Sequence, residues 1–148
     1  MKKHDKTLMP ELRISKRRSD LPQIMRIIFS SSFTRIDFGY GASAIYIRGG
    51  WINISPHTIL QVQGMSKKYR LTDTIDIPYA PGHFEFESRH DWKVFSLIFE
   101  PLPMKSCLIR MVEEEPGNRN SFNYEDIEVD FGAAIEIILP DHNPVSIK

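Results

Sequence analysis

The sequence predicts an all-β fold in which two antiparallel sheets pack face to face as a sandwich, with a small β-barrel as the alternative. From position 33 onward, short apolar or alternating runs recur roughly every ten residues, as is typical of such folds. Ten prolines and eight glycines divide the 148-residue chain at intervals too short for long helices. Without crossover helices, a parallel α/β sheet is disfavoured.

Seven runs in the first part of this region are predicted as short strands. They cover residues 35–38, 44–48, 51–54, 59–62, 69–71, 74–77 and 84–86. The pair Gly49-Gly50 separates two of them and predicts a tight hairpin, because glycine tolerates the positive φ that such a turn needs.

The strongest strand signal lies at Val94 to Phe99, which is nearly all apolar. Phe95, Leu97 and Phe99 share one side of this strand, so we predict that they are core residues of a central strand. Pro101 ends the run because proline donates no ladder hydrogen bond.

Two further strands are predicted after this run. They lie at 107–112 and 122–129, and a change of alternation at Glu125-Asp126 predicts a bulge within the second. Residues 135–139 are a short last strand or a short helix.

Residues 1–30 differ from the rest of the chain. Eight basic and three acidic side chains lie within residues 1–26. Strand alternation is missing, and Pro10 and Pro22 prevent a continuous helix. We therefore predict a basic, poorly ordered N-terminal arm over 1–30, a β-sandwich domain over 31–140 and a C-terminal tail over 141–148.

Composition limits the class of protein. The formal net charge is 0, hydrophobic residues make up 41%, and Cys107 is the only cysteine, so no internal disulfide forms. No apolar stretch has the length of a membrane span or the pattern of a signal peptide. We expect a soluble protein without a membrane span or a cofactor. Its compartment and oligomeric state stay open, with the cytoplasm slightly favoured.

The stretch from Ile77 to Val129 carries a resemblance to a known family. Its matching pieces are Ile77-Pro78 with Ala80-Pro81, the strand–proline element FSLIFEPLP at 95–103, IRMVE at 109–113 and FNYEDI at 122–127. Together they resemble small immunoglobulin-like accessory domains of Bacteroidetes proteins. The resemblance implies an immunoglobulin-like sandwich with a non-catalytic role, and it carries no active site.

A metal site is the first chemical option. His83, Glu85 and Glu87 alternate along one strand, and His90 follows it. Histidines with carboxylates are a ligand set for Zn²⁺ or Fe²⁺. However, alternate residues on a strand lie about 7 Å apart, so three in a row rarely converge on one ion. We therefore interpret these residues as the polar side of a strand and predict no metal.

Catalytic motifs are equally weak. Ser30 to Ser32 lie in no Gly-x-Ser-x-Gly turn, and Cys107 has no histidine near it in the sequence. The pair His90-Asp91 is typical of a turn before the strongest strand. We predict that the protein is not an enzyme.

We predict instead a non-enzymatic interaction or accessory domain with a protein partner. The alternative is a ligand-binding β domain for a glycan or a nucleic acid. A sugar-stacking platform would use three aromatic side chains and a carboxylate, namely Trp51, Tyr46, Trp92 and Asp91. Nucleic-acid phosphates would contact the basic arm through Lys16, Arg17 and Arg18.

Overall fold

The computed structural model describes residues 6–16, 21–41, 51–87, 91–117 and 121–139. These residues form ten strands and contain no helix long and apolar enough to cross a membrane. The strands are β1 (Leu8–Ile14), β2 (Gln23–Phe29), β3 (Thr34–Gly41), β4 (Trp51–Ile52), β5 (Ile59–Val62), β6 (Tyr69–Ile75), β7 (Phe84–Glu85), β8 (Trp92–Phe99), β9 (Cys107–Val112) and β10 (Tyr124–Glu136).

Eight of these strands close into one antiparallel barrel in the order β1-β10-β9-β5-β6-β8-β3-β2. The short strands β4 and β7 pair with each other as a separate two-stranded sheet. The all-β prediction is confirmed, and the closed sheet fits the barrel alternative better than the immunoglobulin-like sandwich. Pairing of β1 with both β10 and β2 joins the two edges of the sheet that a sandwich would leave open.

The prediction of a poorly ordered arm over residues 1–30 is wrong for β1 and β2. β1 pairs with β10, and β2 pairs with β3. Both strands carry irregular register, between Met9 and Glu11 and between Ile24 and Arg26. These irregularities shift the side-chain alternation, and Pro10 lies within the first of them. The alternation of buried and exposed residues that indicates a strand is therefore interrupted in the sequences of β1 and β2.

Aromatic and branched side chains fill the barrel interior. Phe95, Leu97 and Phe99 are at most 2% exposed, which confirms them as core residues. Phe38 on β3 stacks on Phe95, with ring centroids 5.0 Å apart. The interior is therefore a packed core.

Some other strand predictions are confirmed, whereas the runs predicted at 69–71 and 74–77 fall largely in one strand, β6. The strands at 59–62 and 107–112 have the predicted bounds. The bulge predicted at Glu125-Asp126 is a register shift between Tyr124 and Ile127 in the pairing of β10 with β9, and Asp126 has a φ of 52°. Residues 135–136 belong to β10 rather than to a separate last element. The run at 44–48, the Gly49-Gly50 hairpin and the tail over 141–148 lie outside the described residues.

Candidate binding surface

An exposed tryptophan lies on the outer face of the barrel. Trp92 begins β8 and is 66% exposed, beside Met25 of β2 at 58% and Val94 at 53%. Gly39 of β3 lies beneath them, and a Cβ atom there would lie 2.9 Å from the Met25 Sδ and 3.0 Å from Trp92 Cζ2. The absent side chain of Gly39 thus lets the methionine and the tryptophan pack close to the backbone.

A concavity of about 450 Å³ adjoins this apolar group. Its lining combines apolar and charged side chains, including Met25, Val94, Ile75, Arg26, Arg35 and Asp37. We name the outer face that carries Trp92, Met25, Val94 and this concavity the Trp92 face.

Asp37 is the charged centre of the Trp92 face. Asp37 is 8% exposed, and its carboxylate accepts hydrogen bonds from Ser96 Oγ at 2.6 Å, Arg26 Nε at 2.6 Å and Arg35 Nε at 2.8 Å. Burial opposes ionisation of the carboxyl, but these hydrogen bonds together outweigh it and hold the pKa of Asp37 below its ordinary value. The network joins β2, β3 and β8 under the concavity.

The second tryptophan lies on the two-stranded sheet. Trp51 is 43% exposed and pairs directly opposite Glu85, so both side chains lie on one face. The His83 ring lies 5.1 Å from the Trp51 ring, and His83 Nε2 lies 3.2 Å from Glu85 Oε1. Beside them, Lys93 Nζ lies 3.8 Å from the centroid of the Phe84 ring.

The sugar-platform residues predicted from the sequence are not brought together as one group. Trp51 and Trp92 lie in different sheets, and Tyr46 lies outside the described residues. The Asp91 carboxylate accepts a hydrogen bond from the Glu87 backbone N–H at 3.1 Å, as expected of a turn residue.

The proposed metal ligands are only partly described. His83 and Glu85 are neighbours, whereas His90 lies outside the described residues. Within the described part of the chain, no three His, Cys, Asp or Glu side chains are grouped as metal ligands.

The basic residues predicted to bind nucleic acid are also only partly described. The Lys16 ammonium lies 2.9 Å from Asp126 Oδ2, and this contact raises the lysine pKa. Arg17 and Arg18 lie outside the described ranges. A phosphate group would therefore compete with Asp126 for Lys16.

A second concavity, of about 490 Å³, lies next to Glu113 at the end of β9. The Glu113 carboxylate accepts the backbone N–H of Phe122 at 2.7 Å and that of Ser55 at 2.9 Å. Burial raises the pKa of Glu113 in spite of these two hydrogen bonds. The side chain thereby fastens the loop before β5 to the β9–β10 connection.

Sequence reasoning missed Met25, Arg26 and Asp37 as surface residues of interest. Asp37 falls in the strand predicted at 35–38, with no role assigned to it, and Met25 falls in the predicted poorly ordered arm. A useful signal was present in the run Arg35-Ile36-Asp37, where opposite charges two residues apart share one strand face. The position of Arg26 next to Asp37 could not be predicted without knowing that β2 pairs with β3.

Comparison of the chain with protein-family models, curated proteins and solved structures finds no match. The resemblance to Bacteroidetes accessory domains therefore stays a prediction.

Proposed function

We propose that this protein is a non-enzymatic binding domain that contacts a protein partner through the Trp92 face. The observation that carries the proposal is the exposure of Trp92, at 66%, beside Met25 and Val94, which are also more than half exposed. Exposed apolar side chains that lie together commonly mark an interaction site.

The composition of the Trp92 face supports a protein partner over a small molecule. Tryptophan, methionine and arginine are enriched at protein interfaces, and tryptophan and arginine dominate their hot spots. Arg26 is partly exposed at the edge of the face, with its Nε engaged by Asp37. The adjoining concavity is large enough for a partner side chain. The barrel interior, in contrast, is filled by its own aromatic side chains.

The chain's two tryptophans allow a direct test. Peptides are selected from a random library displayed on phage against the immobilised protein and then titrated in solution. In the Trp51→Phe variant, Trp92 is the only indole, and we expect peptide binding to shift its fluorescence. The Trp92→Ala variant should bind about thirtyfold more weakly, as for loss of a hot spot.

The control is Trp51→Ala, which removes the other exposed tryptophan and should leave peptide affinity unchanged. Equal binding to Trp92→Ala and to the unaltered protein, with both folded by circular dichroism, would exclude the Trp92 face as the binding surface.

A second candidate function is glycan binding on the two-stranded sheet. The favouring observation is the half-exposed Trp51 ring beside His83 and Glu85, which places an aromatic plane next to hydrogen-bonding groups suited to sugar hydroxyls. In the Trp92→Phe variant, Trp51 is the only indole, and a bound sugar should protect it from quenching by acrylamide. An unchanged quenching curve across a panel of oligosaccharides would remove this candidate.

A further inference from the structure

Two loops meet at one end of the barrel, opposite the end where β8 begins. The first, residues 63–68, joins β5 to β6, and the second, residues 100–106, joins β8 to β9. The Glu100 backbone N–H donates to the Arg70 carbonyl at 2.9 Å, and the Gln63 N–H donates to the Leu108 carbonyl at 2.9 Å. Backbone contacts at the base of each loop therefore hold the two loops side by side.

Each loop presents an exposed methionine. Met65 is 41% exposed and Met104 is 40% exposed. Met65 follows a turn in which Gly64 has a φ of 85°. In the second loop, Leu102 is 3% exposed and anchors the loop in the core. The methionines thus project from loops fixed to the barrel.

Lysines flank these methionines. Lys67 and Lys68 follow Met65, and Lys105 follows Met104. Among the described residues, none of the three forms an ion pair, although Lys67 Nζ lies 4.8 Å from the Tyr69 ring centroid. The nearby Glu100 carboxylate is occupied by Arg70, whose backbone N–H it accepts at 2.9 Å. The two loops contain these three lysines and one acid, Glu100, whose pKa is lowered by the Arg70 backbone N–H and also by the charge of Lys67. The loops therefore carry more positive than negative charge.

A further apolar side chain lies at the same end. Ile138 follows β10 and is 94% exposed. The Phe131 backbone N–H, within β10, donates to Ser106 Oγ at 2.8 Å, which fastens this part of β10 to the second loop. Ile138 therefore adds an exposed apolar side chain at this end of the barrel.

We propose that this end of the barrel docks on the surface of a lipid bilayer with anionic headgroups. Lysines next to exposed apolar side chains suit such a surface, because the ammonium groups contact the headgroups while methionine and isoleucine enter the acyl boundary. A single-stranded nucleic acid would instead favour aromatic platforms for base stacking, and the exposed apolar residues here are aliphatic. The Trp92 face lies on the side of the barrel, so a protein partner and a bilayer can be bound together.

The test is cosedimentation of the full chain with phosphatidylcholine vesicles, with and without phosphatidylserine. We expect binding only to the vesicles that contain phosphatidylserine, and weaker binding as salt is raised. Lys68→Glu should weaken binding at least about fivefold, as for the loss of one lysine contact. Met65→Ser should also weaken it, with the remaining binding more sensitive to salt.

The control for net charge is Lys16→Glu at the other end of the barrel, which should leave vesicle binding unchanged. Because this change also breaks the ion pair with Asp126, its folding is checked by circular dichroism. Three results would overturn the proposal: no sedimentation with phosphatidylserine vesicles, equal binding by Lys68→Glu and the unaltered protein, or loss of binding in Lys16→Glu instead. Tighter binding to duplex or single-stranded DNA than to the vesicles would assign the surface to nucleic acid. None of these results depends on peptide binding at Trp92, so the two proposals fail separately.

Discussion

The Ser96 hydroxyl donates a hydrogen bond to the Asp37 carboxylate at 2.6 Å, although the two residues are 59 positions apart in the chain. The bond crosses from β8 to β3, and the same carboxylate also binds Arg26 of β2. A surface of three strands is therefore held by one buried acid, which makes Asp37 the residue on which the geometry of the Trp92 face depends most directly.

We expect Asp37→Ala to lower the free energy of unfolding by about 1.5–3 kcal/mol, the usual range for hydrogen bonds to a charged group. Ser96→Ala is the matched smaller change and should cost about 1 kcal/mol. Urea denaturation at neutral pH measures both. If the two variants lose equal free energy of unfolding, the contacts of Asp37 with the arginines contribute nothing to stability.

Asp37 also predicts a pH dependence. Because its pKa is lowered in the folded state, its contribution to stability is complete above the ordinary carboxyl value and is lost as the pH falls through the folded pKa. The unaltered protein should therefore lose stability on acidification below about pH 4 more steeply than Asp37→Ala. Parallel acid denaturation curves for the two proteins would contradict this.

The pH dependence of stability that arises from Glu113 should have the opposite sign. Its folded pKa is raised, mainly by burial, so its contribution is present below the ordinary carboxyl value and is lost as the pH rises through the folded pKa. Glu113→Gln should remove this fall in stability between acid and neutral pH. Because glutamine has an NH2 group in place of one acceptor oxygen, the N–H of Phe122 or of Ser55 loses its acceptor, which should also cost about 1–3 kcal/mol. Glu115→Gln, an exposed change in the same loop, is the control for the denaturation series.

Truncation of the barrel core tests the packing. Phe99 is 0% exposed, and Phe99→Ala should cost about 3–5 kcal/mol. The exposed Met25→Ala should change stability by no more than about 0.5 kcal/mol. Thermal melts followed by circular dichroism give both values, and a small loss in Phe99→Ala would show that its site collapses around the missing ring.

Deletion of residues 1–26 tests the role of the first strand. The deletion removes β1 and most of β2, which exposes an edge of β10 and opens the barrel. We expect no cooperative thermal transition. Deletion of residues 1–5 removes none of the described strands and should preserve the melt. A folded 1–26 deletion would mean that the other strands form a stable open sheet.

The fold class was predictable from the sequence because most strands have undisturbed alternation. Phe95, Leu97 and Phe99 fall on one side of β8, and their burial followed directly. Closure of the sheet was not predictable in this way, because it depends on β1 and β2, whose bulges disturb the alternation near Pro10 and Arg26. Local patterns identify strands, whereas pairing between distant strands decides between a sandwich and a barrel.

The candidate surface was predicted only in part, for a related reason. Trp92 was selected from the sequence as part of a sugar-stacking platform, and the structure shows its side chain to be 66% exposed. Its neighbours Met25 and Gly39 come from two other strands and are brought near it by the register of β2, β3 and β8. No local pattern around Trp92 contains that information.

Closure of the barrel through β1 and β10 also determines when a newly made chain acquires its structure. Leu8 pairs with Glu136, whereas β1 meets β2 through one described residue pair. On the ribosome β1 is synthesised long before β10, so the strand with which it forms most of its pairs is absent until β10 leaves the exit tunnel. We therefore expect the barrel to close only after β10 has left the exit tunnel.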